Sequence, residues 1–264
     1  MEKNDQVKQA VQDQFARNAE RYVLSQTHAK GDDLDLLLDW LGPEMEWVVL
    51  DIATGGGHVA RKLASRVELV VATDLTRPML EAASRANRAQ GADNIVYVQA
   101  DAEALPFLDE SFDAVTCRIA AHHFPDPEAF VREVARVLRP DGSFLFIDNV
   151  APEDEELAGF VNRIENMRDT SHVRCLSVAE WKSAFERAGL IGSMERYRKK
   201  RFDFPDWVAR TAESKEQEEA VEQALLSATD RQKAYLEMNV ENGRVRTHQI
   251  DEWMVLCRKQ RGDR

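Results

Sequence analysis

The chain has 264 residues, 44% of them hydrophobic and 31% charged, with 12 Gly, 8 Pro and 3 Cys, and a soluble chain of this size buries roughly 70 to 75% of its unfolded surface without staples. Lys and Arg number 35 against 47 Asp and Glu, a net charge of −12. That field repels nucleic-acid backbones and anionic membranes, so no nucleic-acid partner is expected.

The N-terminal stretch MEKNDQVKQAVQDQ lacks the apolar core of a signal peptide, and no segment approaches the ~18 apolar residues of a membrane span. A cytoplasmic protein with no membrane span is expected. Residues 1 to 42 read as two helices separated near His28 to Asp32, the second (DLDLLLDWL) closing at Gly42-Pro43, and they are expected to lie over one sheet edge as a lid. From Trp47 to Val150, short β-branched runs alternate with amphipathic helical stretches, the order of a parallel sheet covered on both faces. The runs are WVVLD, ELVVATD, NIVYVQAD, FDAVTCRIA and SFLFIDNV. Thr76-Arg77-Pro78 opens a helix that ends at Gly91; Asp126 as N-cap with Pro127 at the first position opens another, which Pro140-Asp141-Gly142 ends.

Residues 151 to 176 are polar and expected to be helical, and Ser177-Val178-Ala179-Glu180 is a capping box that starts the helix WKSAFERAG. A sixth strand is expected in SMERYRKKRF, helix almost throughout 205 to 240, and a last strand in WMVLCRK. The prediction is an α/β protein, one domain over 1–264, with a doubly wound, seven-stranded, mostly parallel sheet. Its parts are N-terminal helices (1–42), a core (45–150) and helical insertions (151–176 and 205–240). Cys117, Cys175 and Cys257 are odd in number and in no CxxC pair, so reduced thiols and no metal site are expected.

The first strand runs into Asp51-Ile52-Ala53-Thr54-Gly55-Gly56-Gly57-His58, and such glycines let a backbone approach a ligand closely. Asp74 closes the second strand, where a carboxylate can hold both hydroxyls of a ribose. Together they point to an adenosine-containing cofactor. Gly55-Gly56-Gly57-His58-Val59-Ala60 also matches the GxGxxA form of a dinucleotide-binding loop, so an NAD-dependent oxidoreductase stays open on the glycines and Asp74 alone.

Five segments in order, WVVLDIATGGGHVA, VVATDLTRPML, VQADAEALPF, FDAVTCRIAAHHFPD and FVREVARVLRPDG, resemble the class I S-adenosylmethionine-dependent methyltransferases, which have a Rossmann-like sheet. They look most like the small-molecule subgroup that contains the quinone-biosynthesis C-methyltransferases. The resemblance implies methyl transfer from S-adenosylmethionine to a small organic acceptor by in-line displacement, leaving S-adenosylhomocysteine. It implies that Asp51, Ala53, Gly55 and Gly57 hold the amino-acid end of the cofactor, that Asp74 and Leu75 take the ribose and an adenine face with Met79 nearby, that Asp101 and Ala102 bind the adenine edge, and that Arg118 gives backbone contacts near the methionine part. Tyr22, in QFARNAERY, resembles an aromatic residue that folds over the cofactor; it reads equally as a packed aromatic. His122 and His123 follow the fourth strand, where the family places groups near the transferred methyl; either is a candidate base, or a histidine kept for packing. Ala53 stands where the family usually has Gly, which a methyl group permits only if the loop sits back from the methionine moiety. A cofactor-binding protein without transferase activity therefore remains an alternative. Arg163, Met167, Arg168, His172 and Arg174 lie in a segment that often covers the acceptor pocket in this family, whereas the basic run Arg196 to Arg201 reads as an edge strand kept from pairing by charge, with an anion site as the alternative.

Overall fold

The computed structural model describes residues 2–24 and 32–261. Two helices, α1 (Glu2–Leu24) and α2 (Asp32–Leu41), lead into the alternation β1 (Val48–Ile52), α3 (His58–Ala64), β2 (Leu69–Asp74), α4 (Arg77–Arg88), β3 (Ile95–Gln99), β4 (Phe112–Arg118), α5 (Pro127–Val137) and β5 (Leu138–Asn149). Then come α6 (Glu155–Arg168), α7 (Val178–Arg187), β6 (Leu190–Asp203), α8 (Phe204–Ala209), α9 (Lys215–Leu226), α10 (Asp230–Tyr235), β7 (Asn239–Glu241) and β8 (Arg244–Lys259).

The expected doubly wound, mostly parallel sheet is present, in the order β3-β2-β1-β4-β5-β8-β6, with short β7 paired to β8. All pairings among β1 to β5 are parallel, and β8 is antiparallel to both β5 and β6. The chain winds one way from β1 through β2 and β3 and the other way through β4 and β5, so the carboxyl ends of β1 and β4 flank a switch point, where open α/β sheets bind ligands.

Local signals set the helices that surround it. Asp126 accepts from the Ala129 N–H at 2.9 Å with Pro127 in the first turn, and Ser177 and Glu180 form the reciprocal capping box ahead of α7. One sheet face packs Phe130, Phe144, Phe146, Trp181, Phe185 and Trp253. The other packs Leu34, Leu37 and Leu41 of α2 against Val49, Leu63 and Ile147. Thus α2 lies under the middle of the sheet rather than over an edge, because its apolar stripe is complementary to that buried face. α1 instead packs on α4, through Phe15, Ala19 and Val23 against Met79 and Ala82.

Beyond β5 the pattern departs from expectation. α6 is a packed element: Phe160, Val161 and Ile164 join Trp207, Val221 and Leu225 in a third cluster. The stretch 205 to 240 breaks into three short helices at N-caps Asp203, Ser214 and Thr229. An Asn242-Gly243 turn, both residues at positive φ (54 and 72°), then joins β7 to a β8 that starts well before WMVLCRK. β6 is the sheet edge, as the basic run suggested, but Arg198, Lys199 and Lys200 reach carboxylates of β8, with Arg198 at 2.5 Å from Glu252 and Lys199 at 3.0 Å from Asp251. The three cysteines are buried and unpaired, and among the described residues no helix is long and apolar enough to cross a membrane.

Candidate functional site

The switch point opens into a crevice of about 1040 Å3, its open mouth included. Its wall brings together Asp51, Ala53, Gly55, Asp74, Leu75, Met79, Asp101, Ala102, Arg118 and His123 of the residues singled out in the sequence. Gly57 and His122 do not line it. Tyr22 falls on α1, and its side chain lies outside the described residues.

At the end of β1, Asp51 is 1% exposed and accepts from Thr54 Oγ1 at 2.6 Å and Thr116 Oγ1 at 2.7 Å. Burial pushes its carboxyl up to about 6 despite these bonds. Asp74, closing β2, accepts from the Gly55 N–H at 3.1 Å and the Thr76 N–H at 2.8 Å, and burial likewise raises it to about 6. Two carboxylates are therefore held ready to ionise in a largely apolar crevice, a costly arrangement of the kind that marks functional sites.

The loop between them is strained. Ala53 sits at φ 51°, a left-handed conformation that disfavours a side chain and favours glycine. Gly55 and Gly57 differ in their surroundings. A Cβ on Gly55 (φ +53°) makes ordinary contacts, Met79 Cε at 3.6 Å and the Ala53 carbonyl oxygen at 3.9 Å, whereas on Gly57 (φ +74°) it meets Asn87 Nδ2 at 2.5 Å and Ala83 Cβ at 3.1 Å. Gly57 serves the packing of α3 on α4, and Gly55 faces the crevice.

On the far wall, Asp101 accepts from the Glu103 N–H at 2.9 Å, and Lys8 of α1 bridges Asp101 at 2.6 Å and Glu103 at 2.5 Å. Val11 and Phe15 of the same helix line the crevice, and Gln12 donates to the Leu75 carbonyl at 2.9 Å. Arg118 ends β4 with its guanidinium 2.5 Å from Asp33 of α2.

The two histidines after β4 occupy different settings. Ile119, a β-branched residue at φ 54°, turns the chain out of the strand, and residues 121 to 123 form one 3-10 turn. His122 Nδ1 donates to Asp148 Oδ1 at 2.6 Å, and its backbone N–H donates to Oδ2 at 2.9 Å. Burial opposes a charged ring, but attraction and hydrogen bonding to Asp148 outweigh it, and the His122 pKa lies above its ordinary value. Beside it, with ring centroids 4.3 Å apart, His123 is pushed well down by burial and by its charged neighbour. Its Nδ1 donates to the Ser171 carbonyl at 2.9 Å, so in the neutral ring Nε2 carries the lone pair. His172 is 5.6 Å from His122 and is held neutral by burial, its pKa down to about 2.

With this geometry in place, the chain can be compared with known proteins. A family described as a methyltransferase domain matches residues 50–146. The uncharacterized methyltransferase YcgJ of Bacillus subtilis is 39% identical over 216 residues, which span 82% of this chain and 85% of YcgJ. The chain belongs to the methyltransferase family. The crystal structure of YcgJ superposes on this methyltransferase with a TM-score of 0.84 at 35% identity, over 87% of this chain and 98% of YcgJ. The ubiquinone/menaquinone biosynthesis C-methyltransferase UbiE of Roseobacter denitrificans is 36% identical over 117 residues, 43% of this chain and 47% of UbiE. A likeness of fold alone extends to geranyl diphosphate C-methyltransferase from Streptomyces coelicolor, solved with Mg2+, geranyl diphosphate and S-adenosyl-L-homocysteine. Its TM-score is 0.61 at 15% identity, over 86% of this chain and 78% of that one.

Several residues in and around the methyltransferase crevice escaped the sequence reading. Thr54 and Thr116 orient Asp51, and Asp148 orients His122. Asp148 carried a signal, a carboxylate at the carboxyl end of a strand in FIDNV. Lys8 carried none, because its partner Asp101 lies 93 residues away. Of the segment 163 to 174, Arg174 pairs with Glu180 at the surface and Arg163 lies over the Phe160 ring, while Arg168 and His172 are buried near the histidine turn.

Proposed function

We propose that this methyltransferase uses S-adenosylmethionine as donor and a small organic molecule as acceptor, and that the switch-point crevice is the donor site. The observation that carries the reading is the convergence of Asp51, Asp74 and Asp101 with the strained Ala53 loop around one crevice. These carboxylates suit a ligand with a cationic centre, a vicinal diol and an exocyclic amine. Asp74 and Leu75 would take the ribose diol and an adenine face, with Met79 nearby. Asp101 and the Ala102 backbone would take the adenine edge, and Asp51 with the loop at Ala53 and Gly55 would take the amino-acid end. When bound, the cofactor supplies an electrophilic methyl carbon on a sulfonium.

The protein's own task is then positioning, water exclusion and one proton transfer. α1, through Val11 and Phe15, covers the crevice. His123 is the candidate base: its Nδ1–H is fixed on Ser171, and no hydrogen-bond partner engages Nε2 among the described residues. A weak base suffices once the acceptor atom has become acidic on alkylation. His122, tied to Asp148, positions this turn and does not face the donor crevice.

Titration calorimetry tests the donor site. Saturable binding of S-adenosylhomocysteine with no binding of NAD is expected, and the reverse preference would overturn the reading. Release of S-adenosylhomocysteine with an accepted substrate would separate an enzyme from a cofactor-binding protein without turnover.

A further inference from the structure

A second cavity lies beside the donor crevice and shares three wall residues with it: Phe15, Ile119 and His123. His122 lines this second cavity and not the first. The two rings of the turn, 4.3 Å apart between centroids, therefore divide, with His123 on the common wall and His122 inside the second cavity alone. Phe202 of the edge strand β6 and Trp207 of α8 add aromatic walls. The charged side chains around them are already met within the protein: Arg168 by Glu165 at 2.9 Å, Lys200 by Glu252 at 3.3 Å, and Asp169 by the Ser171 N–H and hydroxyl at 2.9 and 2.5 Å. Arg210 is likewise partnered. Such an interior suits a neutral aromatic guest.

Two polar groups in the cavity are not met. Asp148, fully buried, accepts from both His122 Nδ1 at 2.6 Å and the His122 backbone N–H at 2.9 Å, which leaves the ring Nε2 with no hydrogen-bond partner among the described residues. The His122 carbonyl is fixed from the other side by the N–H groups of Val173 and Arg174, at 2.9 and 3.0 Å. Asn149, whose backbone N–H also binds Asp148 at 2.8 Å, lines the same cavity with a carboxamide that has no partner among the described residues. An imidazole whose Nδ1–H is fixed on a buried carboxylate presents Nε2 as a lone pair and is stabilised as it gains a proton, the arrangement of a general base. The groups facing the ring favour that gain: Asp148 of β5, and Glu165 and Asp169 at the end of α6, offset its burial, while the His123 and His172 rings beside it stay neutral because they are buried.

Resting on the reading of the crevice as the donor site, we propose that the second cavity is the acceptor site, that it takes a neutral phenol, and that His122, oriented by Asp148, is the base that draws the phenolic proton. His123 suffices for an atom that alkylation has made acidic; a phenol attacks poorly until its proton is drawn, and the Asp148-backed ring is the one placed to draw it. His122 Nε2 takes that proton as the oxygen bonds to the transferred methyl carbon, and the electron pair of the broken carbon–sulfur bond stays on sulfur, leaving S-adenosylhomocysteine. The imidazolium is held by Asp148 until its proton passes to solvent. Phe202 and Trp207 hold the ring of the phenol, and the Asn149 carboxamide donates to its oxygen.

The test is an absorbance titration of 4-nitrophenol, whose phenol and phenolate differ in colour, on the full chain saturated with S-adenosylhomocysteine. Bound beside His122, the probe should ionise about one pH unit or more below its free value. His122→Gln should return that titration to the free value while leaving S-adenosylhomocysteine affinity unchanged, which also reports that the variant is folded; His122→Asn serves if it misfolds. His123→Gln should keep the shift, and Asp148→Asn should shrink it, a readout that a purely structural carboxylate would not move. No saturable binding of 4-nitrophenol, a bound probe that titrates as it does free, a shift kept in the His122 variants, or a shift lost only in His123→Gln would overturn the proposal. Failure of the unmodified chain to bind S-adenosylhomocysteine is a separate result that overturns the donor-site reading, and the shift is read in the ligand-free protein as well.

Discussion

Asp74→Asn should make the ligand-free protein more stable and the donor site weaker. Burial lifts the Asp74 carboxyl from 3.8 to about 6, so the folded state holds a proton more tightly than the unfolded chain does. Stability therefore falls as pH rises through the window from 3.8 to about 6, and above it the ionised carboxylate costs the fold about 3 kcal/mol, at about 1.4 kcal/mol per pKa unit. An amide removes that cost. It keeps only one acceptor oxygen for the two N–H groups of Gly55 and Thr76, and the N–H left over costs about 1 to 2 kcal/mol. The net expectation is a gain of about 1 to 2 kcal/mol near neutral pH, shrinking by about 1 kcal/mol by about pH 5 as the unmodified carboxyl protonates. Urea unfolding of both proteins across that range measures it. A variant less stable than the parent at neutral pH, or a difference indifferent to pH, would refute the reasoning. In calorimetry the same variant should bind S-adenosylhomocysteine about 30-fold more weakly, for the loss of charge-assisted bonds to the diol.

Other perturbations separate the remaining parts. Because burial raises both Asp51 and Asp74 to about 6 and binding in the donor-site reading uses both ionised forms, S-adenosylhomocysteine affinity should hold above that pH and fall by up to about a hundredfold per pH unit below it, one decade for each carboxylate; a flat profile down to about pH 5 would contradict this. Gly57→Ala, driven onto Asn87, should cost about 2 to 4 kcal/mol of stability. Gly55→Ala should cost about 1 kcal/mol, so thermal melts that rank them the other way would overturn the division between packing and site glycines. Ala53→Gly, relieving a φ of 51°, should stabilise by about 1 kcal/mol in the same melts, with no gain if the loop is unstrained. Asp148→Asn strips His122 of its counter-charge and should cost about 3 kcal/mol near pH 6. His122 has a raised pKa, so its contribution is full below the ordinary histidine value and is lost as pH rises through the raised one; NMR titration of the His122 ring should show its pKa drop in the variant.

How far the sequence is legible depends on the range of the cause. The five core strands and the capped starts of α5 and α7 follow from patterns a few residues long, such as Asp126-Pro127 and Ser177 with Glu180. The stretch 205 to 240 misleads because Ser214 and Thr229 sit inside a helical pattern, where a Ser or Thr reads as a tolerated interior residue; in the fold each caps a new helix. The Asn242-Gly243 hairpin has a recognisable turn signature just beyond the 205 to 240 helical reading, which covered the start of β7 and left the first half of β8 unassigned. Within the site, Asp51, Asp74 and Asp101 were visible because strand ends put them there. The division of labour between His122 and His123 was not, since it is set by Asp148 and by the Ser171 carbonyl, 26 and 48 residues away. Lys200 read as edge charge because only the packing of α6 and α8 beside β6 turns that edge into a wall.

The single helix α1 touches both cavities. Lys8 holds the donor side at Asp101 and Glu103, Phe15 stands on the wall common to both, and Gln14 donates to the carbonyl of Thr211 at 2.9 Å, a residue of the second cavity. One rigid rod thus closes two doors. In the proposed donor-site reading, Lys8 must leave Asp101 before an adenine amine takes its place, and because Phe15 stands on the same helix, that displacement also moves the wall the two cavities share. Donor exchange is then expected to wait on an opening of α1, with solvent viscosity slowing turnover. Trimming Lys8 to Ala loosens only the first latch and should speed release while raising the Michaelis constant for the donor.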